Sequence, residues 1–209
     1  MTYFNKPFNT VEQPIEKDRY RLLWAALCPY AHRAVIARKI LGLDKVISLG
    51  TLDYRRGEDG WQFSLDPDGV DPILKKPTIK SVYNYSEPNY EGPYSVPALV
   101  DLKTEKIVRK ESAEILHEFA TIFKPLHKEG AIDLYPESLA KQIDEWNEKL
   151  AIAVNDGVYR MGFAKTQDEY DLAFNRFFDV LDEVEERLLN QRYINGNSIT
   201  ETDIRFYTT

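Results

Sequence analysis

The apolar positions of the first fifty residues come in short blocks that predict strands and a helix in alternation. Residues 20–26 form a brief apolar run suited to a buried strand. Residues 32–41 follow with helical spacing, in which Val35, Ile36 and Ile40 lie around one stripe, and Gly42 is a helix stop signal. Residues 46–50 predict a second strand. This strand–helix–strand order is the unit that builds a parallel sheet.

The next segment, residues 51–95, shows no clear periodicity and is rich in Pro, Gly, Asp, Asn and Tyr. A structureless loop of this length is unusual inside a compact domain. Its aromatic residues predict an ordered, packed insertion instead. After it, residues 96–101 and 106–109 predict a hairpin of two short strands, and residues 112–123 predict a helix with one apolar side.

Little strand signal remains after Pro136, where apolar residues recur at helical spacing up to Leu188. We therefore place a boundary at residues 124–135, which gives an N-terminal arm at 1–18, an α/β domain at 19–125 and an all-α domain at 126–209. Thr200 and Asp203 have the spacing of a capping box that starts a final helix. Because the sequence stops at Thr209, barely two turns later, we expect the all-α domain to be incomplete at its C-terminus.

Composition and charge argue against several classes of protein. Of the 209 residues, 43% are hydrophobic and 29% are charged, which is typical of a folded chain. A net charge of −7 without a basic cluster argues against nucleic acid and anionic membranes as partners. One Cys and three separated His argue against a disulfide framework and a metal site. The N-terminus does not resemble a secretory signal, and no run of about 18 apolar residues occurs, so we expect a cytoplasmic protein.

Cys28 is the first candidate catalytic residue because it lies between a predicted strand and a predicted helix. The free N–H groups and partial positive charge of a helix start stabilise a thiolate, and His32 and Arg33 add positive charge one turn later. Pro29 fits the first turn of a helix. Without a second Cys, the thiol would form a mixed disulfide with a small thiol, which a second small thiol resolves. The alternative is an inert buried cysteine.

Three further elements have both a functional and a structural interpretation. Val96-Pro97 opens a predicted strand, where a cis bond would present the Val96 backbone to a ligand near Cys28, or where the proline lies on an edge strand. Ser112, after Glu111, can cap the following helix, and free N–H groups there bind carboxylates; a bare cap is the alternative. Trp61 is either a contact to a bound thiol or a packing anchor of the inserted loop.

Together these elements resemble the glutathione transferase superfamily, and more closely its xi class, the glutathionyl-hydroquinone reductases. The Cys-Pro-Trp-Ala-His-Arg motif of that class stands here as residues 28–33, with Tyr30 in place of Trp. Its Gly-Trp-x-Phe segment is matched by residues 60–63. Residues 19–20 and residues 155–164, Asn-Asp-Gly-Val-Tyr-Arg-Met-Gly-Phe-Ala, are also similar. The resemblance runs from about Arg19 to the end of the chain.

The resemblance implies both a fold and an activity. The fold is an α/β thioredoxin-like N-terminal domain followed by an all-α glutathione-transferase-type helical domain. The activity is glutathione-dependent cleavage of the thioether of glutathionyl-hydroquinones through a cysteine–glutathione mixed disulfide. It takes glutathione as co-substrate and an aromatic, quinone-derived substrate, without a metal, and the full-length form is a homodimer. The implied site residues are Cys28 as nucleophile, Trp61 (packing), Val96 (backbone), Glu111 and Ser112 (γ-glutamyl end) for glutathione, and Tyr159 in the aromatic-substrate pocket.

Two other functions stay open on the sequence. An omega-type thioltransferase or dehydroascorbate reductase shares the Cys-Pro start, although Trp61 and the segment 155–159 favour the hydroquinone reductase. A non-catalytic transferase-like assembly module is disfavoured by Cys28 at a helix start. It is favoured by the length of the chain, because the family continues well beyond residue 209.

Overall fold

A mixed four-stranded sheet organises the first half of the chain in the computed structural model, which describes residues 4–209. Its strands are β1 (Tyr20–Ala25), β2 (Ile47–Leu52), β5 (Ala98–Asp101) and β6 (Lys106–Arg109), in the spatial order β2-β1-β5-β6. A short hairpin of β3 (Arg56–Gly57) and β4 (Gly60–Trp61) stands apart. The helices of this half are α1 (Pro29–Ile40), α2 (Ile79–Ser86) and α3 (Ser112–Ala120), with 3₁₀ turns at Leu43–Lys45, Pro67–Gly69 and Lys124–Leu126.

The pairing of the strands confirms the predicted topology. β1 runs parallel to β2, with Leu22 opposite Leu49, and β5 is antiparallel to both β1 and β6. Successive side chains of a strand point to opposite faces of the sheet. Leu23 accordingly belongs to the core cluster that includes Ile79 of α2, whereas the Tyr20 ring contacts Phe123, beyond α3, on the other face. Both faces of the sheet are therefore covered.

The inserted segment contains more regular structure than its sequence predicts. The sequence assigns no helix or strand to residues 51–95, yet α2 and the β3–β4 hairpin lie within them. α2 has only eight residues, of which Ile79, Val82 and Tyr83 are buried at helical spacing, and a capping box between Thr78 and Ser81 starts it. The prediction of an ordered, packed insertion is confirmed, since Phe63, Tyr83 and Tyr90 are buried.

The described part of the N-terminal arm packs against the sheet without forming a helix or strand between residues 4 and 19. Phe8 is buried, and its ring centroid lies 5.4 Å from that of Tyr20 and 5.1 Å from that of Phe123. The arm is thus part of the first core. The first three residues of the predicted arm lie outside the described residues.

The chain divides into two compact units between Ala131 and Ile132, and the second unit is helical. It contains α4 (Ala140–Leu150), a π-helical turn (Ala151–Asn155), α5 (Gly157–Gly162), α6 (Gln167–Leu188) and α7 (Glu201–Tyr207), with a 3₁₀ turn at Glu137–Leu139. Its core includes Leu150, Val184 and Ile194. The predicted capping box of Thr200 and Asp203 is confirmed at the start of α7. Within residues 4–209, no helix combines the length and the apolar character that crossing a membrane requires.

Candidate active site

Cys28 lies where β1 gives way to α1. It occupies the N-cap position with extended backbone (φ −90°, ψ 111°), and Pro29 is the first residue of the helix. Its N–H donates to the carbonyl of Ala25 at 3.0 Å, and its carbonyl accepts from His32 N at 3.1 Å. The thiol is half-buried. The predicted strand–Cys-Pro–helix arrangement is confirmed, and it places the sulfur at the positive end of the α1 dipole.

The Val96 backbone meets the thiol across 68 residues of sequence. Cys28 Sγ lies 3.4 Å from the carbonyl oxygen of Val96, to which the thiol donates. The Val96–Pro97 bond is cis. The predicted cis bond and its predicted proximity to Cys28 are therefore confirmed, and contact of the Val96 backbone with a ligand stays a prediction. The edge-strand interpretation of Pro97 is wrong, because the strand it precedes, β5, lies between β1 and β6 in the interior of the sheet.

Trp61 lies on β4 and is only 8% exposed. It belongs to the same core cluster as Val96 and Ile79, against which Cys28 also packs. The guanidinium carbon of Arg56 lies 5.1 Å from the centre of the indole. Trp61 is therefore a packing anchor of the inserted loop, as one of the two interpretations held. Its contact with a bound thiol stays a prediction that concerns the narrow exposed edge of the ring.

Glu111 and Ser112 stand at the start of α3, which begins one residue earlier than a cap at Ser112 would require. The helix begins at Ser112, and Glu111 holds the N-cap position without a side-chain capping bond. The prediction that Ser112 caps the helix is wrong, because Glu111, not Ser112, is the last residue with extended backbone (φ −83°, ψ 117°). The buried Ser112 still lies in the first turn, where helix N–H groups lack intrahelical partners.

The Glu111 carboxylate forms an ion pair with the neighbouring Lys110. Lys110 Nζ donates to Glu111 Oε1 at 2.6 Å. Burial acts to lower the pKa of Lys110, but the hydrogen bonds and charge interactions with Glu111 and Tyr90 together outweigh it, so the pKa is raised. The pair therefore presents a positive and a negative group next to the start of α3.

Tyr159 lies in the second unit, on α5, and is 38% exposed. Its ring is stacked on Phe163, with 6.3 Å between the ring centroids. The motif segment around it begins in the π-helical turn, where Asn155 is buried and donates to the Arg205 carbonyl at 3.0 Å. The segment thus joins the middle of the helical unit to α7.

Sequence reasoning missed two tyrosines of the first unit that adjoin these residues. Tyr83 is fully buried, and its hydroxyl donates to the carbonyl of Ser95 at 3.0 Å. Tyr90 is stacked on it, with 4.8 Å between the ring centroids. The only signal was the excess of tyrosine in the inserted segment, which does not say which hydroxyl reaches which backbone group. Among the described residues, no group of three or more His, Cys, Asp or Glu side chains is arranged to hold a metal.

Comparison with known proteins identifies the class that this fold and site define. A model of the glutathione S-transferase N-terminal domain matches residues 27–122. Glutathionyl-hydroquinone reductase YqjG of Escherichia coli is 40% identical over 196 residues, which cover 93% of this chain and 60% of YqjG. Glutathione S-transferase omega-like 2 of Schizosaccharomyces pombe is 39% identical over 200 residues, covering 93% of this chain and 64% of that protein. The chain thus spans 60–64% of the length of these two curated relatives.

Solved structures of glutathione transferases superpose closely on this chain. The glutathione-S-transferase Xi of Phanerochaete chrysosporium superposes with a TM-score of 0.92 at 39% identity, covering 100% of this chain and 72% of that one. The glutathione-bound structure of YqjG superposes with a TM-score of 0.89 at 40% identity, covering 98% and 67%. A thioredoxin-like unit followed by a helical unit, with these matches, defines a glutathione transferase. The chain belongs to the Xi class of that family.

Proposed function

We propose that this chain is a glutathione-dependent reductase that cleaves the thioether of glutathionyl-hydroquinones, with Cys28 as the nucleophile. The observation that carries the proposal is the position of Cys28 at the start of α1, with its sulfur 3.4 Å from the Val96 carbonyl. The name of the relative YqjG supports the reaction, and its glutathione-bound structure supports glutathione as co-substrate.

The reaction takes two displacements at sulfur. In the first, the Cys28 thiolate attacks the sulfur of the glutathionyl-hydroquinone, the sulfur–aryl bond breaks, and the aryl carbon takes up a proton to give the hydroquinone. Cys28 is left in a mixed disulfide with glutathione. In the second, the thiolate of another glutathione attacks the glutathionyl sulfur and releases glutathione disulfide and the Cys28 thiolate. Glutathione is thus the reductant, and no metal takes part.

The other site residues have roles that follow from their groups. The Val96 backbone pairs with the cysteinyl part of glutathione beside the thiol. Glu111 receives the ammonium of the γ-glutamyl end, and the N–H groups at the start of α3, with the Ser112 hydroxyl, receive its α-carboxylate. Trp61 contributes the exposed edge of its ring. The charge pair of Glu111 with Lys110 supports recognition of an amino-acid zwitterion.

The remaining parts of the proposal concern the whole protein. Tyr159, half-exposed on α5, contributes to the pocket for the aromatic substrate. The full-length form is a cytoplasmic homodimer.

A second candidate function is that of an omega-type thioltransferase or dehydroascorbate reductase. The name of the S. pombe relative, omega-like 2, favours it. Both functions use the same mixed disulfide at Cys28, so they differ only in the molecule that is reduced.

Intact mass after incubation with glutathione disulfide tests the shared step. We expect the wild-type chain to gain the mass of one glutathione and Cys28→Ser to gain none, because Cys28 is the only cysteine of the sequence. Absence of the adduct from the wild-type chain would contradict both enzymatic functions and favour the assembly module. Turnover of a glutathionyl-hydroquinone, compared with dehydroascorbate, then separates the two reductases.

A further inference from the structure

Three tyrosine rings connect the two backbone segments that flank the candidate thiol-binding site. Tyr83 and Tyr90 are stacked, with 4.8 Å between centroids and 30° between planes, and Tyr94 lies 5.8 Å from the first and 5.9 Å from the second. All three lie in the first unit, in or just after α2. The three rings form one aromatic block, whose hydroxyl groups reach residues 93–95 on one side and Lys110 on the other.

The hydroxyl groups of this block tether the segment that carries Val96. Tyr83 Oη donates to the Ser95 carbonyl at 3.0 Å, and Tyr90 Oη donates to the Pro93 carbonyl at 3.0 Å. Gly92 leaves the room that the second bond needs, because a Cβ at that position would stand 2.4 Å from Tyr90 Oη. Val96, whose carbonyl faces the Cys28 sulfur, thus directly follows Ser95, the residue that Tyr83 holds.

The same block reaches the other side of the site. Tyr90 shares a side-chain hydrogen bond with Lys110, and Lys110 in turn donates to the Glu111 carboxylate at 2.6 Å. A chain of contacts therefore runs from the Ser95 carbonyl through two stacked rings to Glu111 at the start of α3. Because both rings are buried, neither hydroxyl can exchange its partner for bulk water at low cost.

We propose that Tyr83 and Tyr90 are positioning residues of the glutathione site, which fix the distance between the Val96 backbone and the Glu111–Ser112 helix start. This inference rests on the proposed function for the ligand, although the tethering itself does not depend on it. Glutathione held at its cysteinyl part by Val96 and at its γ-glutamyl end by the start of α3 requires that distance to be set in advance. Loss of either hydroxyl should therefore weaken binding of the whole tripeptide without removing any group that touches it.

Tyr20 supplies a matched control. It is also fully buried in the first unit, and its hydroxyl also donates to a backbone carbonyl, that of Pro14, at 2.8 Å. It begins β1, however, whereas Cys28 follows the other end of that strand. Tyr20→Phe therefore removes the same kind of bond from the same unit without loosening the site.

The experiment compares Tyr83→Phe, Tyr90→Phe and Tyr20→Phe in the full chain by two measurements. Calorimetric titration with glutathione should show a Kd raised about fivefold by each of the first two variants, the equivalent of one lost hydrogen bond, and unchanged by Tyr20→Phe. Hydrogen–deuterium exchange without ligand should accelerate at residues 94–96 in Tyr83→Phe and at residues 110–113 in Tyr90→Phe, but at neither segment in Tyr20→Phe.

The two measurements keep this proposal distinct from the proposed function. If the wild-type chain binds glutathione and the three variants change its Kd equally, the tyrosines are only structural and the inference is overturned. If the wild-type chain binds no glutathione, the proposed function fails, and the exchange data alone decide. Unchanged exchange at both segments then overturns the inference, and local acceleration supports the tethering.

Discussion

Asp71 organises the turn that follows the β3–β4 hairpin, and we expect Asp71→Asn to destabilise the first unit strongly. The carboxylate is fully buried. Oδ2 accepts from Arg21 Nε at 3.0 Å and Nη2 at 2.6 Å, and Oδ1 accepts from the N–H groups of Ile73 at 3.0 Å and Leu74 at 2.7 Å. Asparagine keeps the shape of the side chain but removes the charge that neutralises the buried guanidinium.

The size of the effect follows from the burial of both partners. Arg21 is 4% exposed, and breaking a buried ion pair by removing one partner costs about 3–5 kcal/mol. Domains are stable by about 5–15 kcal/mol in total, so the loss is a large fraction. At about 2–4 °C per kcal/mol for a chain of this size, Tm should fall by roughly 6–20 °C. Asp59→Asn is the matched control, because its ion pair with Lys80 is exposed and contributes about 0–1 kcal/mol.

Urea unfolding followed by tryptophan fluorescence measures both variants. The segment that follows the turn meets the residues just after β4, since Phe63 N donates to the Pro77 carbonyl at 3.0 Å. Glutathione affinity should therefore weaken in Asp71→Asn and not in Asp59→Asn. A loss below about 1 kcal/mol in Asp71→Asn, or equal losses in the two variants, would show that the buried ion pair does not stabilise the first unit.

Three further predictions concern stability. Trp61→Ala should cost about 3–5 kcal/mol in urea unfolding because the indole is buried, and a cost under about 1 kcal/mol would contradict its role as an anchor. Burial raises the pKa of Tyr20 to about 12. The unfolded chain loses that proton near pH 10 while the folded chain keeps it, so from about pH 10 to 12 the stability of the wild-type chain should fall more steeply than that of Tyr20→Phe, by about 1.4 kcal/mol per pH unit; equal slopes would argue against it. Asp203→Ala removes the acceptor of Thr200 N and Ile194 N. It should reduce the free energy of unfolding by about 1–2 kcal/mol, which calorimetry would detect as a lower Tm; an unchanged Tm would exclude the capping role.

Patterns along the sequence were enough to predict the features that depend on neighbouring residues. The order of β1, α1 and β2 follows from apolar blocks separated by a Cys-Pro pair and a glycine. The start of α7 follows from two residues at capping-box spacing. Cys28 was located for the same reason, because a thiol between a strand and a helix start is a property of adjacent residues. Each of these signals lies within about one turn or one strand of the residue it describes.

The features that join distant residues became visible only in the folded chain. The contact between Cys28 and Val96 spans 68 positions and depends on β5 lying beside β1 in the sheet. The burial of Trp61 depends on α2, because Ile79 and Val82 of that helix belong to the same core cluster. The tethers of Tyr83 and Tyr90 depend on where their rings stack. Such contacts arise because the core brings chain segments together by packing, and no pattern along one segment records which other segment will lie against it.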